Sequence, residues 1–220
     1  EENNAAFAKE LASLGDVYVN DAFGSAHRAH ASTEGVPKFI EHCAAGYLMM
    51  KELEYLAKAI ENPTRPYVAI LGGAKVSGKI DVIENLLGKV DALLIGGGMA
   101  FTFFKAQGLE IGDSLLEADK VDLAKAILDS ASDKKVRFLL PVDCVVSQVA
   151  DDSSPTQVVA ISEIKTGWRG LDIGPKTVGL FNSEIFKANT VVWNGPMGMF
   201  EIDRFALGTN AIAQTLAEAT

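Results

Sequence analysis

A chain of 220 residues, 48% hydrophobic and 22% charged, has the composition of one large folded domain or of a domain with part of another. No apolar run approaches the roughly 18 residues of a membrane-spanning helix, and a net charge of −9 argues against a duplex nucleic-acid binder. Small anionic ligands stay open, because local Lys, Arg and helix N-termini decide them.

The opening EENNAAFAKEL carries neither a basic n-region nor an apolar core, so no signal peptide is expected. Both ends read as cut rather than finished. Cys43 and Cys144 lie far apart, outside any metal-spaced pair, and read as free thiols in a reducing compartment.

Residues 1–43 are expected to be the tail of a preceding domain, with VYVNDAF (17–23) as a strand. NDAFGSAHRAHAS (20–32) follows, with His27 and His30 flanking Arg28. H-x-x-H without a carboxylate pair is a poor metal spacing, whereas an Arg among small residues suits a carboxylate or phosphate; a surface Arg on a capped loop is an equal alternative. Met49, Leu53, Leu56 and Ile60 then stripe a helix over 44–61, which Asn62-Pro63 ends. It reads as an interdomain connector.

Residues 62–220 read as one α/β domain, a doubly wound parallel sheet, with strands and helices alternating from Pro66 onward. The strands expected are YVAIL (67–71), ALLI (92–95), VRFLL (136–140), DCVV (143–146), TQVVAI (156–161) and TVVWN (190–194), most of them apolar on both faces. Helical stripes fall at Val76, Ile80, Ile83 and Leu87, at Ala124, Ile127, Leu128 and Ala131, and at Phe205, Ile212 and Leu216.

Several segments carry chemistry. Gly73, Gly78 and Lys79 match G-x-x-x-x-G-K, but Ile80 stands where a P-loop needs a hydroxyl for Mg²⁺. What remains is a strand, a glycine turn, and Lys75 and Lys79 expected on one face of a helix start, a plausible polyanion site or simply two solvated lysines. IGGGMAFTF (95–103) repeats strand, glycines, helix, yet breaks G-x-G-x-x-G at Phe101, so a nicotinamide dinucleotide is a weak reading. In VVWNGPMGMFE (191–201), Asn194 lies just past a strand's carboxyl end, where open α/β sheets bind ligands. Glu201 is either a first-turn helix acid or an acceptor of sugar hydroxyls. Asp143 in LLPVDCVV is a general base or, more ordinarily, a turn cap or the partner of a neighbouring Lys.

Together, DVYVNDAFGSAHRAHAST, LGGAKVSGKI, IGGGMAFTF, LLPVD, GLDIGP and VVWNGPMGMFE resemble the phosphoglycerate kinase family across essentially all 220 residues. The resemblance implies a two-domain α/β enzyme that moves the acyl phosphate of 1,3-bisphosphoglycerate to ADP, giving 3-phosphoglycerate and ATP. It implies a cytoplasmic protein, expected to be a monomer, with no nucleic-acid or membrane partner. Arg28 would contact the glycerate substrate and Lys75 the phosphoryl group in flight. Lys79 would hold nucleotide phosphates. Gly73, Gly97, Gly98, Leu115, Gly170 and Leu171 would line the adenine slot; Asn194, Pro196 and Gly198 would lie along the nucleotide; Glu201 would bind the ribose. Mg²⁺ would accompany ADP or ATP, with its protein ligand expected after Thr220 and none in this chain; most glycerate contacts are expected before Glu1. The alternative is a piece that binds ADP or ATP without turnover. Two departures stand out: Gly78 where many members carry Asp, expected to loosen the helix start by roughly 1 kcal/mol, and Met199 where Val is usual.

Overall fold

The computed structural model describes the backbone of residues 1–220 and every side chain but those of residues 58 and 59. The chain divides into two compact units, Glu1–Asn62 and Pro63–Thr220.

In the first unit, α1 (Ala5–Ala12) begins where Asn4 accepts the Phe7 N–H at 3.0 Å, filling one of the free amides of a helix start. Then come β1 (Val17–Asn20), the single-turn α2 (Phe23–Ala26), two short helical turns over 31–38, β2 (His42–Ala45) and α3 (Tyr47–Glu61). β1 and β2 form a two-stranded parallel sheet, Val17 opposite His42 and Asn20 opposite Ala45. Two expectations are corrected here. The 17–23 strand stops at Asn20, and Phe23 opens α2. The helix expected from 44 starts at Tyr47, because Ala44 and Ala45 are paired in the ladder and the Asp21 carboxylate takes the Met49 amide at 2.8 Å. Of the expected stripe only Met49 is buried; Leu53 is 53% exposed.

The second unit runs β3 (Tyr67–Leu71), α4 (Ile80–Leu86), β4 (Ala92–Ile95), α5 (Ala100–Ala106), α6 (Val121–Asp133), β5 (Arg137–Leu139), β6 (Asp143–Ser147), β7 (Thr156–Ala160), β8 (Arg169–Ile173), α7 (Pro175–Ile185), β9 (Thr190–Asn194) and α8 (Leu207–Ala219). Four strands make a parallel sheet in the order β5-β4-β3-β9. Successive side chains of a strand point to opposite faces, and both faces here are covered. Tyr67, Ala69, Leu71, Leu93 and Ile95 pack with Ile83 of α4, Phe103 of α5 and Ile127 of α6. Val68, Ile70, Ala92 and Leu94 pack with Phe181 and Ile185 of α7 and Ile212 of α8. Every residue of β3 and β4 is therefore buried, which is why these segments are apolar without a break.

β6, β7 and β8 do not join that sheet. They form a separate antiparallel one, with β6 between its neighbours and an irregularity at Val145/Val146. β8 was hidden in GLDIGP, while 143–146 and 156–161 are strands but not parallel ones. Asp143 ties the two sheets together. Its carboxylate accepts the Thr177 Oγ1–H at 2.6 Å and the amides of Thr177 at 2.8 Å and Lys176 at 3.0 Å, in the first turn of α7. The cap reading of Asp143 holds, and the general-base reading does not.

Candidate functional site

β3, β4 and β9 are parallel neighbours, so their carboxyl ends open on the same edge of the sheet. Each ends in a glycine-bearing turn, and the turns are stitched to one another by backbone hydrogen bonds. Gly73 N–H donates to Pro196 O at 2.9 Å, Gly97 N–H to Met197 O at 2.9 Å, and Met99 N–H to Gly73 O at 3.0 Å. Such close approach leaves no room for a side chain. A Cβ on Gly97 would lie 2.5 Å from Gly73 N, in a residue whose φ of +70° already disfavours L side chains.

Beside these turns is a cavity of about 510 Å³. Gly73, Gly97, Gly98, Leu115, Gly170, Leu171, Pro196, Gly198 and Glu201 all line it. The rest of its wall is largely apolar, including Phe101, Phe104, Pro141 and Ile161. Leu115 is 46% exposed, an unusual state for a leucine that lines a cavity, and its Cδ2 sits 3.0 Å from where a Cβ of Gly98 would be. Apolar walls with two exposed carboxylates, Asp113 and Glu201, suit a ring system carrying hydroxyls.

The basic residues are arranged otherwise than expected. α4 starts only at Ile80, and residues 72–79 form bends and turns, so Lys75 and Lys79 do not share a helical face. The buried Val76, which made the periodicity seem to begin early, packs in the core from the loop. Lys75 projects from the loop as an exposed side chain. Lys79 caps α4, and its Nζ donates to Asn194 Oδ1; burial holds its pKa below the usual lysine value. Neither lysine nor Asn194 is part of the cavity wall; their pair stands where β3's loop meets the end of β9. Gly78 lies in a turn with open space around it, so the expected helix-propensity cost does not arise there. Glu201 is in a turn ahead of the short 203–205 helix, which removes its first-turn dipole reading. Arg28 belongs to the first unit, exposed, with its carbonyl accepting from Thr33 Oγ1 at 2.5 Å.

Sequence reading missed Asp172, Arg169 and Asp113 on the cavity wall. Asp172 is 4% exposed and accepts the amides of Ile173 at 2.8 Å and Gly208 at 2.7 Å. Burial pushes its pKa up to about 6 against the opposing pull of those two amides. Its place inside GLDIGP was visible, but nothing in the string says that the aspartate points into the fold. Cys144 also reaches the wall, with burial pushing its thiol up to about 12, so it is inert as a nucleophile. Among the described residues no group of three His, Cys, Asp or Glu side chains could hold a metal ion, and no helix is long and apolar enough to cross a membrane.

A family model described as phosphoglycerate kinase matches residues 1–220. The chain is 60% identical to a phosphoglycerate kinase of Chloroherpeton thalassium, with all of this chain aligned and 55% of that protein covered. It is 63% identical to one from Koribacter versatilis, over 99% of this chain and 54% of that protein. The solved structure of phosphoglycerate kinase from Coxiella burnetii superposes with a TM-score of 0.84 at 45% identity, covering 100% of this chain and 56% of that one. The chain thus spans about half the length of the curated relatives it matches.

Proposed function

Because the chain belongs to the phosphoglycerate kinase family, we propose that Pro63–Thr220 is the nucleotide-holding part of an enzyme that transfers the acyl phosphate of 1,3-bisphosphoglycerate to ADP. The single observation that carries the reading is the convergence of nine residues, widely spaced in sequence, on one cavity at the carboxyl ends of parallel strands. In this reading the purine enters between the glycine turns, Leu115 and Leu171, and Glu201 accepts the ribose hydroxyls. The phosphates run toward Lys79 and Asn194. The Glu1–Asn62 unit supplies Arg28 to the glycerate side, and α3 is the connecting helix.

Phosphoryl transfer of this kind needs no covalent enzyme intermediate. An oxygen of the ADP β-phosphate attacks the acyl phosphorus in line, the bond from phosphorus to the acyl oxygen breaks, and the carboxylate of 3-phosphoglycerate departs. Charge spreads over three equatorial oxygens in the transition state. Lys75, exposed on a loop rather than fixed in a helix, is free to follow that charge. Lys79 is held by Asn194 instead, so its task is ground-state binding of phosphate oxygens. Mg²⁺, arriving with the nucleotide phosphates, would neutralise charge on them. The residues described offer it no ligand cluster of their own, and no step is assigned through it.

Calorimetry with ADP and a coupled kinase assay on the intact protein test the reading. Lys75→Ala is expected to lower kcat by about 100-fold or more while the ADP Kd moves by less than about twofold. An equal loss in both would refute the transition-state role, and no ADP binding at all would refute the site.

A further inference from the structure

Arg169 and Leu171 lie two residues apart on β8, and both line the cavity. Gly170 between them lines it too, and a Cβ there would come within 2.1 Å of Cζ of Phe101, another residue of the wall. The pairing of β8 with β6 shifts register here, Val146 standing opposite Gly170 and Val145 opposite Asp172, so successive residues of the strand reach the same cavity. Arg169 Nε is sealed from solvent and donates to nothing. The nearby carboxylates are engaged by backbone: Asp113 accepts the Gly167 amide at 3.1 Å, and Asp172 those of Ile173 and Gly208. A sealed donor without an acceptor costs free energy that a ligand atom can recover.

Resting on the nucleotide reading above, we propose that Arg169 is a base-specificity residue whose guanidinium donates to the 6-carbonyl oxygen and N7 of a 6-oxopurine nucleoside diphosphate. A planar fork of donors matches that pair of acceptors bidentately. Adenine presents N7 beside an amino group, so a second donor would face a donor. The guanidinium therefore raises the affinity for hypoxanthine or guanine nucleotides relative to ADP. A general attraction for phosphates would instead act on all nucleotides alike.

IDP and ADP separate these cases, since both carry the same phosphates and their bases differ only at position 6 and the N1 proton that goes with it. The readout is the ratio of the IDP Kd to the ADP Kd, measured by calorimetry on the full chain. Arg169→Met, which keeps the apolar stem, is expected to raise that ratio about tenfold, chiefly through weaker IDP binding. Arg169→Lys, which keeps the charge but not the fork, is expected to raise it about threefold. A ratio unchanged from the parent, or equal weakening of both nucleotides, overturns the proposal. If Arg169→Met binds neither nucleotide, the ratio in Arg169→Lys decides by the same criterion. ADP binding with an unchanged ratio removes this inference alone, whereas a parent chain that binds neither nucleotide removes the nucleotide reading with it.

Discussion

Val17 and Val68 are the same residue type in the same kind of parallel strand, yet Val17 is 60% exposed and Val68 is shut off from solvent. The difference lies in the layers around each strand. β3 has strands on both sides and helices on both faces, while β1 has one neighbour, and every residue of β2 is exposed. Apolar residues in a strand state a demand for cover, and only the surrounding elements meet it. A two-stranded sheet gains little stability by itself. In this chain most of the folding free energy therefore resides in Pro63–Thr220.

Mutations can break that contrast. The largest effect is expected from Phe181→Ala, which empties a fully buried site between α7 and the parallel sheet. It should cost about 3–5 kcal/mol in chemical denaturation, and a loss below about 1 kcal/mol would mean that the second unit is loosely packed.

A smaller, pH-dependent effect comes from Asp172. Its folded pKa of about 6 lies above the 3.8 usual for an aspartate in an unfolded chain. The folded state thus holds this proton more tightly than the unfolded chain does. The resulting stability is fully present below about pH 4 and is lost as the pH rises through about 6, on the order of 3 kcal/mol in all. Melting curves between pH 4 and 7 should show a decline with rising pH that Asp172→Asn flattens.

The smallest effect is expected from Val17→Ala, within about 0.5 kcal/mol of the parent, as for exposed positions generally. A cost of 2 kcal/mol there would make the first unit's sheet a core in its own right.

Legibility followed the same division. YVAIL and ALLI were readable because burial on both faces leaves an unbroken apolar run, and the half-buried edge strand TVVWN from its β-branched residues. β2, with the sequence His-Cys-Ala-Ala, was not, since its exposed residues carry no pattern. Strand direction was also out of reach: β6 and β7 have the local character of parallel core strands, and only their pairing makes them antiparallel. The glycines of the candidate site stood out in the string, whereas Arg169 and Asp172 did not, because β8 has no alternation to read and its pairing with β6 shifts register at Val145/Val146. The loop from Gly72 to Lys79 misled for a related reason, as a valine buried from a loop imitates a helix's first apolar position.

The Asp143 clamp on α7 has a consequence for the opening between the sheets. One side of the slot, Gly170 and Leu171, belongs to the antiparallel sheet, and the other, the glycine turns, belongs to the parallel one. α7 packs on the parallel sheet, and Asp143 of β6 holds α7 by three hydrogen bonds to its first turn. The gap width is thus set by protein alone, before anything enters. A flat guest of matching thickness forfeits little freedom on arrival, and a puckered one must pry two sheets apart.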